Sequence, residues 1–125
     1  MSNDEYNIRF KKAYNEYFAI GRLVCKVLAG QTVHFRQHGF RHFLRKGKDI
    51  RPKQDQLRRF SLLRYAKTAI QAEATRITET RIIQNATYWS LEYETGENYL
   101  IKVIIRKISD GDIDFVSIMD CKKRK

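Results

Sequence analysis

The chain has 125 residues, 42% of them hydrophobic, with one proline, two cysteines and a formal charge of +11. That is enough chain and apolar content for one compact domain (1–125) that buries its own core without disulfide or metal staples. No apolar run approaches a bilayer span, the start "MSNDEYN" is polar and acidic where a signal peptide is basic then apolar, and Cys25 and Cys121 read as reduced thiols of a cytoplasmic protein rather than a disulfide framework.

The first element predicted is a helix from Asp4 to Leu28, within an N-terminal segment 1–30. Phe10, Ala13, Tyr14, Tyr17, Ile20, Val24 and Val27 recur at three-and-four spacing, Ser2, Asn3 or Asp4 can cap its start, and Gly30 closes it. "TVHF" (32–35) is β-branched and short, which predicts a brief strand. Gly39 interrupts helix between it and "FRHFLRK", a short helix ended by Gly47. Pro52 then opens a helix running to residue 71 through Leu57, Phe60, Leu63 and Ile70.

Beyond Glu73 the period changes to two, with many β-branched and aromatic residues. "ATRITETRIIQ", "TYWSLEYE", "NYLIKVIIRKI" and "IDFVSIMD" are four strands, with hairpin signals at Thr95-Gly96-Glu97 and Asp110-Gly111. On the third strand Tyr99, Ile101, Val103 and Ile105 form an apolar face against a mixed face of Leu100, Lys102, Ile104 and Arg106. The fold class expected is therefore α+β: N-terminal helices packed on one face of a four-stranded antiparallel meander, followed by a solvated basic tail, 122–125.

The charge is uneven: net +2 over residues 1–35, +9 over 36–67, −4 over 68–121 and +4 in the tail. A cationic block of this kind draws polyanions, so nucleic acid, an anionic membrane surface or an acidic protein would suit it. Within it, His34, His38 and His42 are spaced four and four. One unbroken helix would align them as zinc ligands, but Gly39 and "TVHF" argue against that helix, and the cations from Arg36 to Lys48 would repel a metal. His42 stands among Arg41, Arg45 and Lys46, whose charges oppose imidazolium formation and lower its proton affinity toward neutrality. That suits a group exchanging protons near physiological pH, although a histidine in a basic helix also fits a surface or packing role. Arg45, Lys46, Arg51, Arg58 and Arg59 supply phosphate contacts or solvated faces, and Tyr88, Ser90 and Ser117 are ordinary sheet residues unless a phosphate lies against them. Phosphate-loop, dinucleotide-binding, zincin and serine-hydrolase motifs are all missing, so any chemistry would be metal-free and cofactor-free, built from His, Lys, Arg, Tyr and Ser.

The stretches "VHFRQHGFRHFLRKGK" and "KQDQLRRFSLLRYA", set ahead of a four-strand meander, resemble the barnase/EndoU/colicin/RelE-like metal-independent ribonucleases, particularly the branch carried by phages and other mobile elements. The similarity covers residues 32–121. Gly39, His42 and Lys46 match a loose "GxxHxxxK/R" helix motif, with Arg45 beside them, and Ser117 matches a hydroxyl residue on the last strand, where threonine is frequent. The resemblance implies an RNA-cleaving toxin in which a ribose 2′-hydroxyl attacks its own phosphodiester, leaving a 2′,3′-cyclic phosphate. His42 would be general acid or base, Lys46 and Arg45 charge stabilisers, Ser117 a phosphate or sugar contact and Tyr88 a secondary contact, with His34 and His38 as candidates for the second acid–base group. Arg41, Lys48, Arg51, Arg58 and Arg59 would contact the nucleic acid, and an acidic antitoxin or immunity protein would hold the enzyme silent. The rival expectation is a non-enzymatic nucleic-acid-binding protein using Arg58, Arg59, Arg64 and Lys67; a basic module recognising an acidic protein is a third.

Overall fold

A computed structural model describes residues 3–96 and 99–122, with the side chain of Lys122 excepted. The Ser2 cap, the Glu97 turn position and the tail beyond Lys122 lie outside the described residues.

Helix α1 (Asn3–Ile20) buries Ala13 and Tyr17, with Phe10, Phe18 and Ile20 packed against the core. It stops at Ile20 rather than at the expected Leu28. Gly21 takes a φ of 67°, and "RLVC" becomes strand β1 (Arg22–Cys25), with Leu23 and Cys25 inward and Val24 exposed. A single 3-10 turn holds Val27, and Ala29 and Gly30, both at positive φ, reverse the chain into β2 (Gln31–His34). The three-and-four spacing at Val24 and Val27 was thus shared with a period-two hairpin, and tertiary pairing decided between them.

Helix α2 (Gln37–Leu44) contains Gly39 instead of being interrupted by it. The glycine is buried against Tyr17 and the backbone of the last strand: a Cβ there would meet the Phe115 carbonyl oxygen at 2.6 Å and the Tyr17 phenol oxygen closer still. The helix ends at Leu44, and Arg45–Lys46 (β3) pairs with Asp49–Ile50 (β4) around Gly47 at φ 62°, so Gly47 shapes a hairpin rather than a helix end. Helix α3 (Lys53–Leu62) follows Pro52. The single helix expected to residue 71 is broken by a 3-10 turn at Leu63–Tyr65 before α4 (Ala66–Gln71). In that turn the Leu63 N–H bonds to the Phe60 carbonyl and the Ala66 N–H to that of Leu63. The tightening buries the sequence neighbours Leu62 and Leu63 together.

Strands β5 (Arg76–Ile83), β6 (Ala86–Glu94), β7 (Tyr99–Ile108) and β8 (Ile113–Lys122) pair antiparallel in succession. The expected four-stranded antiparallel sheet is nevertheless too small. The β1–β2 hairpin joins it through parallel pairing of Val33 with Ile113 and His34 with Asp114, giving a mixed six-stranded sheet in the order β1-β2-β8-β7-β6-β5. The class is α+β. The sequence signal for this addition was hidden because β1 had been absorbed into the first helix.

Helices cover the sheet face carrying Leu91, Ile101, Val103, Ile105, Phe115 and Ile118. A bulge in β8 opposite Ile104–Ile105 leaves Val116 as the extra residue, so Phe115 and Ile118, three apart, both face the helices. An aromatic cluster of Phe10, Tyr17, Phe35, Phe40, Phe43, Phe60 and Phe115 joins α1, α2 and α3 to β8. Tyr17 is fully buried within it and donates its hydroxyl proton to the Arg36 carbonyl at 2.6 Å. Among the described residues no helix is long and apolar enough to cross a membrane.

Because backbone stands against Gly39, its neighbours cannot yield as a flexible side chain would. Gly39→Ala is expected to destabilise the fold by about 3 kcal/mol despite alanine's better helix propensity. Urea unfolding of the two chains, compared at equal slope, measures this.

Candidate active site

The apolar face of α2 is narrow: Gly39, Phe40 and Phe43 are buried, whereas Arg41 is exposed. His38 and His42 stand one turn apart at the border of that face, where side chains four apart are neighbours. Both rings are partly buried. α2 packs along β8, and the two rings come within reach of Arg106 on β7, His38 also of Asp114 on β8, residues whose register sets them on the polar face of the sheet, opposite the core.

That polar side carries a cross-strand row. Tyr88 on β6 pairs with Arg106 on β7, and Arg106 pairs with Asp114 on β8. The Arg106 guanidinium carbon lies 5.9 Å from the centre of the Tyr88 ring. His38 Nε2 is 3.9 Å from Asp114 Oδ2, and Arg36 Nη1 is 3.0 Å from Asp114 Oδ1, an ion pair off the hydrogen-bond direction. His38 Nε2, Arg106 Nε and Asp114 Oδ1 are buried atoms without a hydrogen-bond partner within the described residues. A donor, an acceptor and a titratable nitrogen thus converge with valence left to engage a further polar group.

Two more cations approach from α3 and the turn before it. Arg51 donates from Nε to the His42 carbonyl at 2.8 Å, which places a positive charge at the C-terminal end of α2, and from Nη1 to Asp55 at 3.1 Å. Arg59 donates from Nη1 to Ser117 Oγ at 3.2 Å and to the Ile118 carbonyl at 3.0 Å, and from Nε to Asp55 at 3.3 Å. Ser117 therefore holds Arg59 in place.

Proton affinity follows from this arrangement. His42 is lowered below the ordinary histidine value, first by burial and then by His38, Arg106, Arg51 and Arg59. His38 is lowered by burial and Arg106, with Asp114 pulling the other way. The direction expected for His42 from the sequence agrees, but the cations responsible differ: Arg41, Arg45 and Lys46 are exposed and are not among the charges acting on the ring.

The other sequence candidates spread out. Arg45 and Lys46 lie on the exposed β3–β4 hairpin, Arg45 donating to the Lys48 carbonyl. Arg41 and Lys48 are exposed nearby. Arg58 makes a bidentate pair with Asp120 at 3.0 and 2.8 Å, away from the histidines. His34 sits on β2 with Nε2 3.9 Å from Asp112, so the three histidines do not share one helix. Among the described residues no three His, Cys, Asp or Glu side chains converge as a metal cluster.

Arg106, Asp114 and Arg36 were missed. Arg106 had a signal, as the basic residue on the mixed face of its strand; Asp114 had none, because its partner lies 76 positions back in sequence. Comparison of the chain with protein-family models, with curated proteins and with solved structures finds nothing that matches.

A histidine whose proton affinity is lower folded than unfolded contributes stability that is fully present above the unfolded pKa, about 6.5, and lost as pH falls through it toward the folded value. Unfolding free energy measured in urea is therefore expected to fall as pH drops below about 6.5. The His38→Gln/His42→Gln double variant removes both titrations and is expected to flatten that slope.

Proposed function

We propose that this chain is a metal-independent endoribonuclease of toxin type, as its resemblance to the barnase/EndoU/colicin/RelE-like enzymes implies. The observation that carries the reading is the pairing of two histidines on successive turns of α2, both lowered in proton affinity, with a carboxylate 3.9 Å from His38 and only cations and burial acting on His42.

Each charge that acts on His42 disfavours its protonated form, so it is neutral at pH 7 and suits the general base. His38 is also lowered, by burial and Arg106, but of the two it alone has a carboxylate beside it, Asp114 at 3.9 Å, and that partial support for imidazolium makes it the better fit to the general acid. In the reaction, His42 takes the proton of the ribose 2′-hydroxyl as O2′ attacks phosphorus. The P–O5′ bond breaks as His38 gives its proton to O5′, and the product is a 2′,3′-cyclic phosphate. Arg106, whose Nε is buried without a partner among the described residues, offsets the extra charge of the pentavalent phosphorane. Tyr88 presents a ring on which an unpaired base can stack. Arg41, Arg45, Lys46 and Lys48 suit phosphates further along the strand, and an acidic inhibitor would cover the same surface.

In the non-enzymatic alternative Arg58 and Arg59 are engaged by Asp120 and Asp55, while Arg64 and Lys67 are exposed, so a polyanion would meet mainly the latter two.

The test is cleavage of single-stranded RNA in the presence of EDTA. Wild type is expected to cut and leave cyclic phosphate ends. His42→Ala and His38→Ala should each lose about 10²- to 10⁴-fold in kcat/KM while retaining RNA binding. Asp114→Asn should shift the group required in its protonated form toward lower pH in the bell-shaped profile, because imidazolium loses its carboxylate. RNA binding without cutting by wild type would instead establish the nucleic-acid-binding reading.

A further inference from the structure

Strand β5 is the outer strand of the sheet, and all of its eight residues are exposed. Three of the chain's exposed large hydrophobic residues lie in it: Ile77, Ile82 at 75% exposure, and Ile83 at 49%. The helices do not reach this far, so both faces and the outer backbone edge are open. A long open edge of this kind, with isoleucines on both faces, is a template for another strand.

Charges ordinarily guard such an edge, and β5 carries Arg76, Glu79 and Arg81. Their order matters. Glu79 and Arg81 flank Thr80 and share one face, since Glu79 pairs with Ser90 and Arg81 with Tyr88, while Thr80, between them, pairs with Trp89. In one copy they approach each other to 4.0 Å along the strand. A two-fold axis perpendicular to the sheet pairs only residues of like face, so it must pass through a residue position. An axis at Glu79 sets carboxylate against carboxylate, and one at Arg81 sets guanidinium against guanidinium. An axis at Thr80 sets Glu79 of each copy opposite Arg81 of the other, twice, and keeps almost the full strand length paired.

The flanks agree with that register. The bulge between Ile77 and Glu79 turns Ile77 to the helix side of the sheet, the side of Ile82. Centring on Thr80 brings Ile77 of one copy alongside Ile82 of its partner on that side, and both leave water.

We propose that β5 pairs antiparallel with β5 of a second copy, centred on Thr80, so that the two sheets run on as one. The net charge of +11 on each copy opposes association over long range, but that repulsion is screened within about 8 Å at physiological salt, whereas the Glu79–Arg81 pairs are in direct contact. One strand pair is a small interface, which puts the dimer in the concentration-dependent class.

The test is sedimentation equilibrium of the full chain over a concentration series at physiological salt. Wild type is expected to move from monomer to dimer. Glu79→Arg alone and Arg81→Glu alone each oppose like charges twice and should stay monomeric, with circular dichroism unchanged. The double variant Glu79→Arg/Arg81→Glu restores opposite pairs and should dimerise as wild type does. The two single variants, mixed, should form a heterodimer although neither forms a homodimer. A wild type monomeric throughout, as expected if the edge serves a strand from another protein, overturns the proposal. A dimer indifferent to both single reversals also overturns it, as does failure of the double variant to recover.

Discussion

The missing Cβ of Gly39 is the contact on which the rest of the arrangement depends. It lets α2 lie against the Phe115 backbone and the buried Tyr17 ring, and the Tyr17 hydroxyl then fixes the Arg36 carbonyl at the start of the same helix. With α2 seated so closely on β8, Phe40 and Phe43 enter the aromatic cluster. The helical repeat then leaves His38 and His42 nowhere but the border, facing the polar side of the sheet. A wider separation would move both rings away from Asp114 and Arg106 while leaving the hydrophobic pattern of α2 unchanged. The position of the histidines is thus a packing result before it is an electrostatic one.

The acidic second half of the sequence folds back onto the basic block and neutralises it selectively. Asp112 and Asp114 take Arg36, and Asp120 takes Arg58, while Asp55, within the block, takes Arg51 and Arg59. The most exposed of these pairs, Arg36 with Asp112, contributes little to stability, but together the pairs decide which cations remain available. Arg41, Arg45, Lys46 and Lys48 make no ion pair among the described residues, so the unneutralised charge concentrates around the C-terminal end of α2 and the hairpin after it. On the proposed reading, a polyanion steered by that field would arrive beside the histidines.

Much of this was legible in the sequence where one period acted alone. The strands from β5 to β8 were legible from their alternation, and His42 was singled out for the cations beside it in sequence, although the charges that act on the ring are those of Arg106, Arg51 and Arg59. Legibility failed where two periods overlapped or where the partner was distant. Val24 and Val27 fit a helix stripe and a hairpin equally, and only pairing with β2 separated them. Gly39 read as a breaker because propensity describes an isolated helix and not one pressed against a tyrosine and a backbone carbonyl. Asp114 and Arg106 belong to the candidate site through strand register, which no local pattern encodes, and Ser117 was found for its hydroxyl although the structure gives it to Arg59.

The sheet order also bears on how an assembly would work. β8, beside the histidines, and β5, the open edge, are separated by β7 and β6. Self-pairing at β5 therefore leaves each candidate site uncovered. A two-fold axis perpendicular to the sheet preserves the face, so both polar rows would open on the same side, their Asp114 ends about 34 Å apart across seven strand spacings. Strand twist rotates the two rows relative to each other, but each would still offer an aromatic ring, a guanidinium and a histidine pair to the same side. Two sites so placed can engage one polyanion at once, and the second contact then forms at an effective concentration set by the length of chain between them. Weak pairing at the edge and weak grip at each site would then reinforce one another on a long polyanion, whereas a short one would gain nothing from the second copy.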